Sequence, residues 1–161
     1  RKVTGLNLSG TVNDNIAMVA IKKLLTHGLY NKGKARRASE EYIEKLNIKT
    51  PSADQIVGNL SGGNQQKIVI AKWLLNDPDI IILDEPTRGI DVGAKMEIYK
   101  LINDLAEQGV AIMFISSEMP EILSLCDRTF VVKDGKLVYE CARDQMTQEL
   151  LAEKAFGLKS S

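Results

Sequence analysis

A chain of 161 residues is long enough to bury a real core and corresponds to about one domain. Apolar residues make up 44% and charged residues 26%, and the 21 Lys plus Arg balance the 21 Asp plus Glu, so there is no global charge argument for a nucleic-acid or anionic-surface partner. No apolar run approaches the length of a membrane span, the opening Arg1-Lys2-Val3-Thr4 carries no leader-like pattern or initiator Met, and Cys126 and Cys141 fit no metal spacing. The chain is therefore read as a fragment whose two cysteines are free thiols in a reducing compartment.

Residues 1–58 read as helical and peripheral. Asn13 or Asp14 is expected to cap a helix with Ile16, Val19, Ala20 and Leu24 on one face. His27 sits in a Lys-rich helix end and is expected at the surface. A second helix is expected to carry Ala35, Ala38, Tyr42, Ile43 and Leu46 at helical spacing. Between them, Gly28 to Ala35 nearly fits the phosphate-loop pattern of Gly, four residues, Gly-Lys and a hydroxyl residue. Ala35 has no hydroxyl for magnesium, and a helical pattern precedes the stretch where an apolar strand is needed, so the match is rejected. The cluster Lys32, Lys34, Arg36 and Arg37 then reads as a solvated helix face, with Glu40 and Glu41 as i,i+4 partners.

Pro51 to Asn59 is turn-like and delivers the chain to Leu60-Ser61-Gly62-Gly63-Asn64-Gln65-Gln66-Lys67. A helix is expected from Asn64 to about Asn76, with Ile68, Ala71, Leu74 and Leu75 on its inner face. Its start offers backbone N–H groups and a partial positive charge, the two glycines let a ligand approach, and Ser61 can add a hydroxyl donor. By itself Ser-Gly-Gly reads first as an ordinary serine-capped helix after a Gly turn, since serine is a common N-cap. The residues downstream of the helix decide between the two. Asn76-Asp77-Pro78 breaks the helix, and Ile80-Ile81-Ile82-Leu83 predicts a strand buried on both faces, closed by Asp84-Glu85-Pro86.

Asp91 should cap a helix whose buried face is Ala94, Ile98, Leu101, Ile102 and Leu105, ended by Gly109. A second buried strand, Val110 to Ile115, should end at Ser116-Ser117-Glu118. Pro120 opens a short helix, Thr129 to Val132 and Lys136 to Tyr139 form a hairpin around Asp134-Gly135, and Thr147 to Phe156 closes the chain as an amphipathic helix. The alternation predicts an α/β architecture with ligands at strand C-terminal ends. There, Asp84 can hold a hydrated Mg²⁺ beside phosphates, and Glu85 can orient an attacking water.

Taken together, Leu-Ser-Gly-Gly at a helix start and an apolar strand ending Asp-Glu-Pro-Thr resemble an ATP-binding cassette ATPase. The resemblance is strongest to the tandem-cassette ATPases of bacterial monosaccharide importers of the ribose, galactose and xylose class. Leu60 to Lys67 looks like the signature motif, Ile80 to Glu85 like Walker B, and Gly89-Ile90-Asp91 like the D-loop. The wording of 64–67, 86–94 and 116–121 points to the second cassette of that class, and the resemblance runs over nearly the whole chain.

The resemblance implies a partial P-loop NTPase-like fold with parallel core strands, residues 1–58 as the helical subdomain, and 59–161 as the signature helix, Walker B, D-loop and C-terminal part of the ATPase core. It implies ATP and Mg²⁺ as ligands, with Ser61, Gly62, Gly63, Gln65 and Asp91 at an ATP held by the opposite cassette, Asp84 at the metal and Glu85 as the catalytic carboxylate. The implied partners are the first cassette, integral-membrane permease subunits and, indirectly, a periplasmic sugar-binding protein, with no nucleic acid. The implied location is peripheral, on the cytoplasmic face of the bacterial inner membrane. Two departures stand out. Walker A is absent, and the start resembles a point just beyond the Q-loop, so the chain looks like the C-terminal part of a cassette. Glu118 stands where the family's switch histidine belongs, and a carboxylate there cannot donate to a phosphate. Two rival functions are a cassette acting on nucleic acid or ribosomes and a non-catalytic half that docks on a permease. Against the first, the chain has neither long heptads nor zinc-type cysteine pairs.

Overall fold

The structure is a computed structural model that describes residues 5–157; the opening Arg1-Lys2-Val3-Thr4 lies outside them. By its internal contacts the chain divides into two units, one holding the chain up to Ile81 together with Thr87–Ile112, the other Ile82–Pro86 together with the chain from Met113.

The first unit is mainly helical. Helix α1 spans Val12–Ala17, and its cap is Thr11, slightly earlier than the sequence suggests. Asp14 is the reciprocal partner: its backbone N–H donates to Thr11 Oγ1 (3.0 Å) and its carboxylate accepts from the Thr11 N–H (3.1 Å), a complete capping box. Buried Asn15 holds the preceding loop, accepting from the Asn7 N–H (2.7 Å) and donating to the Asn7 and Thr11 carbonyls (both 2.9 Å). The helix is shorter than expected, because the chain turns at Met18 and resumes as a 3₁₀ turn over Ile21–Leu24. Ile16, Ala20 and Leu24 are nonetheless buried, as the spacing predicts.

Strands β1 (Leu25–Thr26) and β2 (Leu29–Tyr30) form a two-residue hairpin turned through His27 and Gly28, both at positive φ, and His27 is exposed. Helix α2 (Lys32–Lys45) begins immediately after, capped by Asn31. The near-match to a phosphate loop is thus a hairpin followed by a capped helix, which agrees with its rejection. Helix α2 buries Ala35, Ser39 and Tyr42, and Arg36 pairs with both Glu40 (2.9 Å) and Asp54 (2.9 Å) at the surface. Helix α3 (Gly62–Leu74) starts two residues before the expected Asn64 and buries Ile68, Ile70, Ala71 and Leu74. Helix α4 (Val92–Glu107) is capped by Asp91 and buries Ile98, Leu101, Ile102 and Leu105, with Ala94 half-buried. Helix α1 packs on α2 and α3, and α3 packs on α4.

Strands β3 (Ile80–Asp84) and β4 (Ala111–Ile115) pair. The Ala111 N–H donates to the Asp79 carbonyl and the Glu85 N–H to the Ile115 carbonyl, both at 2.9 Å, so the strands run parallel. The expectation that both are buried on two faces is not met. Ile81 and Leu83 are buried, but Ile80 (66%) and Ile82 (62%) are exposed, as are Met113 and Ile115. Residues alternate across a strand, and among the described residues only one face is covered.

In the second unit, β5 (Arg128–Lys133) and β6 (Lys136–Ala142) form an antiparallel hairpin turned at Asp134 (φ +50°) and Gly135 (φ +72°). Two consecutive positive φ values match the right-handed twist of such a hairpin. Helices α5 (Met119–Leu125) and α6 (Gln148–Phe156, capped by Thr147) close over Val131, Cys141 and Leu151. Both cysteines are free, and burial pushes both thiols up from the usual range. No described helix is long and apolar enough to cross a membrane.

The capping box makes a direct test. Thr11→Ala should lower unfolding stability by about 1 kcal/mol, read from the urea midpoint at unchanged slope.

Candidate functional site

The site in the first unit is built at the start of α3. Ser61 is the N-cap, with extended backbone, and Gly62 and Gly63 are the first two helical residues. Ser61 Oγ accepts from the Asn64 backbone N–H (3.5 Å) and from Asn64 Nδ2 (2.9 Å). Both contacts use it as an acceptor, so its own O–H can still donate. Asn64 also fastens this end to the preceding chain, its Oδ1 accepting from the Lys49 N–H (2.8 Å).

Gly63 is buried for a steric reason. A Cβ built on it would lie 2.6 Å from Ala94 Cβ. Ala94 is in the first turn of α4, and its N–H donates to Asp91 Oδ1 (2.9 Å), completing that helix's cap. Two helix starts, one capped by Ser61 and the other by Asp91, therefore meet at Gly63 and Ala94. One turn further along both helices, Lys67 Nζ reaches Glu97 Oε2 (2.9 Å) and also donates to the Asn47 carbonyl (2.8 Å). The Lys67 side chain is only 4% exposed, and its hydrogen bond, followed by its charge, holds the Glu97 carboxyl below the usual range. Lys49 Nζ lies 3.4 Å from Glu97 Oε1.

Gln65 takes a different place from the other four residues predicted to meet ATP. It is buried, and its Nε2 donates to the Leu60 (3.0 Å) and Val57 (3.2 Å) carbonyls. Its amide braces the loop that enters the helix and is not presented at the helix start.

The second unit carries the other cluster. Asp84 ends β3 and is exposed; Glu85 comes next at φ +46°, a left-handed conformation uncommon for a residue with a side chain. Glu85 Oε1 accepts from the Ser117 N–H at 2.9 Å. The loop carrying Ser117 is itself tied down. Ser116 Oγ donates to Glu121 Oε2 (2.6 Å) and accepts from the Glu118 N–H (2.9 Å), and Glu121 is 2% exposed. Glu118 is exposed at the N-cap of α5.

The sequence reading missed Asn64, Lys67, Glu97, Ser117 and Glu121. Asn64 and Lys67 stood in the quoted stretch, but only the fold shows what they touch. Glu121 comes five residues after Ser116, a spacing with no signal of its own.

The donor set suits a phosphate. A helix start with glycines at its first two positions and a serine hydroxyl at its cap offers short, directed donors to an anion. Among the described residues no three His, Cys, Asp or Glu side chains gather to hold a metal, so Asp84 would meet a cation chiefly shared with phosphate and water.

A parallel strand pair ending in two carboxylates and a glycine-opened helix start make this an α/β protein whose candidate groups lie at element ends. Comparison with known proteins narrows this. The ABC transporter family model matches residues 3–88. The chain is 51% identical over 158 residues to the ribose import ATP-binding protein RbsA of Caldanaerobacter subterraneus subsp. tengcongensis, covering 98% of this chain and 32% of that protein. It is 47% identical over 159 residues to the xylose import ATP-binding protein XylG of Geobacillus kaustophilus, covering 99% of this chain and 32% of that protein. The chain thus spans about a third of the length of the curated relatives it matches. Among solved structures, it matches a dimeric post-hydrolysis state of the ATP-binding cassette MJ0796 bound to ADP and Pi at TM-score 0.73 and 26% identity, covering 86% of this chain and 59% of that one. It matches an ABC transporter in an inward-facing conformation at TM-score 0.81 and 21% identity, covering 95% and 60%, a likeness of fold. The chain belongs to the ABC transporter family.

The Gly63 contact yields a stability test. Gly63→Ala should cost about 1–3 kcal/mol by overpacking against Ala94, and adding Ala94→Gly should recover most of it, as measured by urea denaturation of both variants.

Proposed function

We propose that this segment supplies the signature end of an ATP site in the ATPase of a bacterial sugar importer. The observation that carries the reading is the start of α3, where Ser61 and two glycines open a helix whose second residue packs directly on the Asp91-capped helix. The relatives named for ribose and xylose import support the transport role. Ser61, Gly62 and Gly63 contact the γ-phosphate of an ATP held by the P-loop of an opposite cassette, and Asp91 lies at the same interface. Residues 1–58 act as the helical subdomain, and 59–161 as the remainder of the partial core. The assembly sits peripherally on the cytoplasmic face of the membrane, bound to permease subunits and served by a periplasmic sugar-binding protein.

The strand-end cluster has the lesser share. Mg²⁺, when bound, neutralises phosphate charge, and Asp84 orients it. Glu85, whose carboxylate accepts from the Ser117 N–H, orients a water; that hydrogen bond supports the reading. Glu118, at the switch position, repels a phosphate instead of donating to it, which lowers the turnover of that site. The segment therefore works mainly in trans. In the assembled ATPase, Ser61→Arg should reduce turnover by about tenfold or more, whereas Glu85→Gln should cost less than about threefold. Equal losses of ATPase rate from the two changes would refute the division.

A further expectation concerns the 161-residue chain alone. Its sequence holds no complete phosphate-loop motif, so it should bind Mg-ATP far more weakly than a micromolar site and release no phosphate from it. Isothermal calorimetry together with a phosphate-release assay checks this, and micromolar affinity would contradict it.

A further inference from the structure

The signature helix is tied to α4 at two successive levels. At the first, Gly63 lies against Ala94 with no room for a Cβ. At the second, four residues along α3 and three along α4, Lys67 Nζ meets Glu97 Oε2 at 2.9 Å. These spacings put each pair of residues on one helix face. The helices thus run side by side from adjacent starts, and the ion pair fixes how far one can slide or rotate past the other.

The tie extends to the chain before the signature. Lys67 Nζ also donates to the Asn47 carbonyl (2.8 Å), Lys49 Nζ approaches Glu97 (3.4 Å), and the Lys49 N–H holds Asn64, whose amide in turn reaches Ser61 Oγ. Lys67 is buried and Glu97 half-exposed, an asymmetric arrangement for an ion pair. A buried ammonium that loses its carboxylate is left uncompensated, so the helices must shift to hydrate it.

We propose that Lys67 and Glu97 are positioning residues for the signature, setting the Ser61–Gly63 helix start in register with the Asp91-capped start of α4. They touch no phosphate themselves and act through the Gly63–Ala94 contact and through Asn64. This assignment deepens the function proposed for the segment and rests on it only where turnover is concerned.

Two measurements test it. In the 161-residue chain, amide hydrogen exchange is followed at Gln65, which donates to the Ser61 carbonyl, at Ala94 and Lys95, which donate to Asp91, and at Ala35, which donates to the Asn31 carbonyl in the same unit, as a reference. Lys67→Met should speed exchange at the three helix-start amides by about tenfold or more and at Ala35 by less than about threefold; Lys67→Arg should leave all four near wild type. If Lys67→Met does not fold, Glu97→Gln, at a half-exposed position, gives the same readout. Unchanged helix-start exchange overturns the proposal, and so does an equal rise at Ala35, which would assign the pair to bulk stability.

In the assembled ATPase, Glu97→Gln should lower kcat by about tenfold with little change in KM for ATP, and should lower it by less than about threefold in a Ser61→Ala background. Equal factors in both backgrounds overturn the proposal. If Ser61→Ala itself leaves turnover untouched while the exchange pattern is as expected, the signature role fails and the positioning role stands.

Discussion

Helix α3 can lie against α4 only because residue 63 has no side chain. A methyl group there would meet Ala94 Cβ at 2.6 Å, well inside contact distance. Much else in the first unit depends on this approach. It places the Ser61 and Asp91 caps side by side, brings Lys67 within reach of Glu97, and lets the 47–49 segment be tied to both helices. The glycine therefore sets the distance at which the neighbouring helix can support that start. The packing is tight at the level of single atoms, and a buried charged side chain makes it directional, since an ion pair fixes both position and rotation in a way that apolar contact does not.

The strand-end cluster is organised differently. Glu85 sits at φ +46°, a conformation that costs on the order of 1 kcal/mol or more for a residue with a Cβ. It is held by two hydrogen bonds to the end of β4 and the loop that follows it. Its N–H donates to the Ile115 carbonyl, and its carboxylate accepts from the Ser117 N–H. The loop supplying Ser117 is fixed by Ser116 and the buried Glu121. The carboxylate is therefore aimed by backbone geometry, with no histidine after Ser117. Glu118 stands there instead, exposed at the start of a short helix.

Local patterns carried most of the fold in legible form. Helices α2, α3 and α4 follow from their apolar spacing, the β5–β6 hairpin from Asp134-Gly135, and Asp91 reads correctly as a cap. Thr11 was missed because Asn13 and Asp14 are also good cap residues, and only the paired geometry with Asp14 separates them. The β3 strand was legible as a strand but not in its burial, since four consecutive apolar residues do not reveal whether both faces are covered. The site divides in the same way. Ser61, Gly62, Gly63, Asp84, Glu85 and Asp91 stand out because hydroxyls, glycines and carboxylates at element ends are the residue types a phosphate or metal site draws on. Lys67, Glu97 and Glu121 do not, because a charged residue on a helix is usually solvated, and burial is decided by what packs against it. Gln65 shows the converse: a polar residue inside a motif whose side-chain nitrogen is committed to the loop behind it.

The two clusters also depend on different parts of the chain, and this bears on how a cassette can divide its work. The helix start at Ser61 is made from α3, α4 and the loops that precede them, all in one unit. The Glu85 cluster needs the end of β3, the end of β4 and the start of α5. A change at the strand end, such as one at Glu118, therefore leaves the contacts that hold the helix start in place. The helix start is constrained down to the absent side chain at Gly63, independently of the contacts that hold the carboxylates at the strand end.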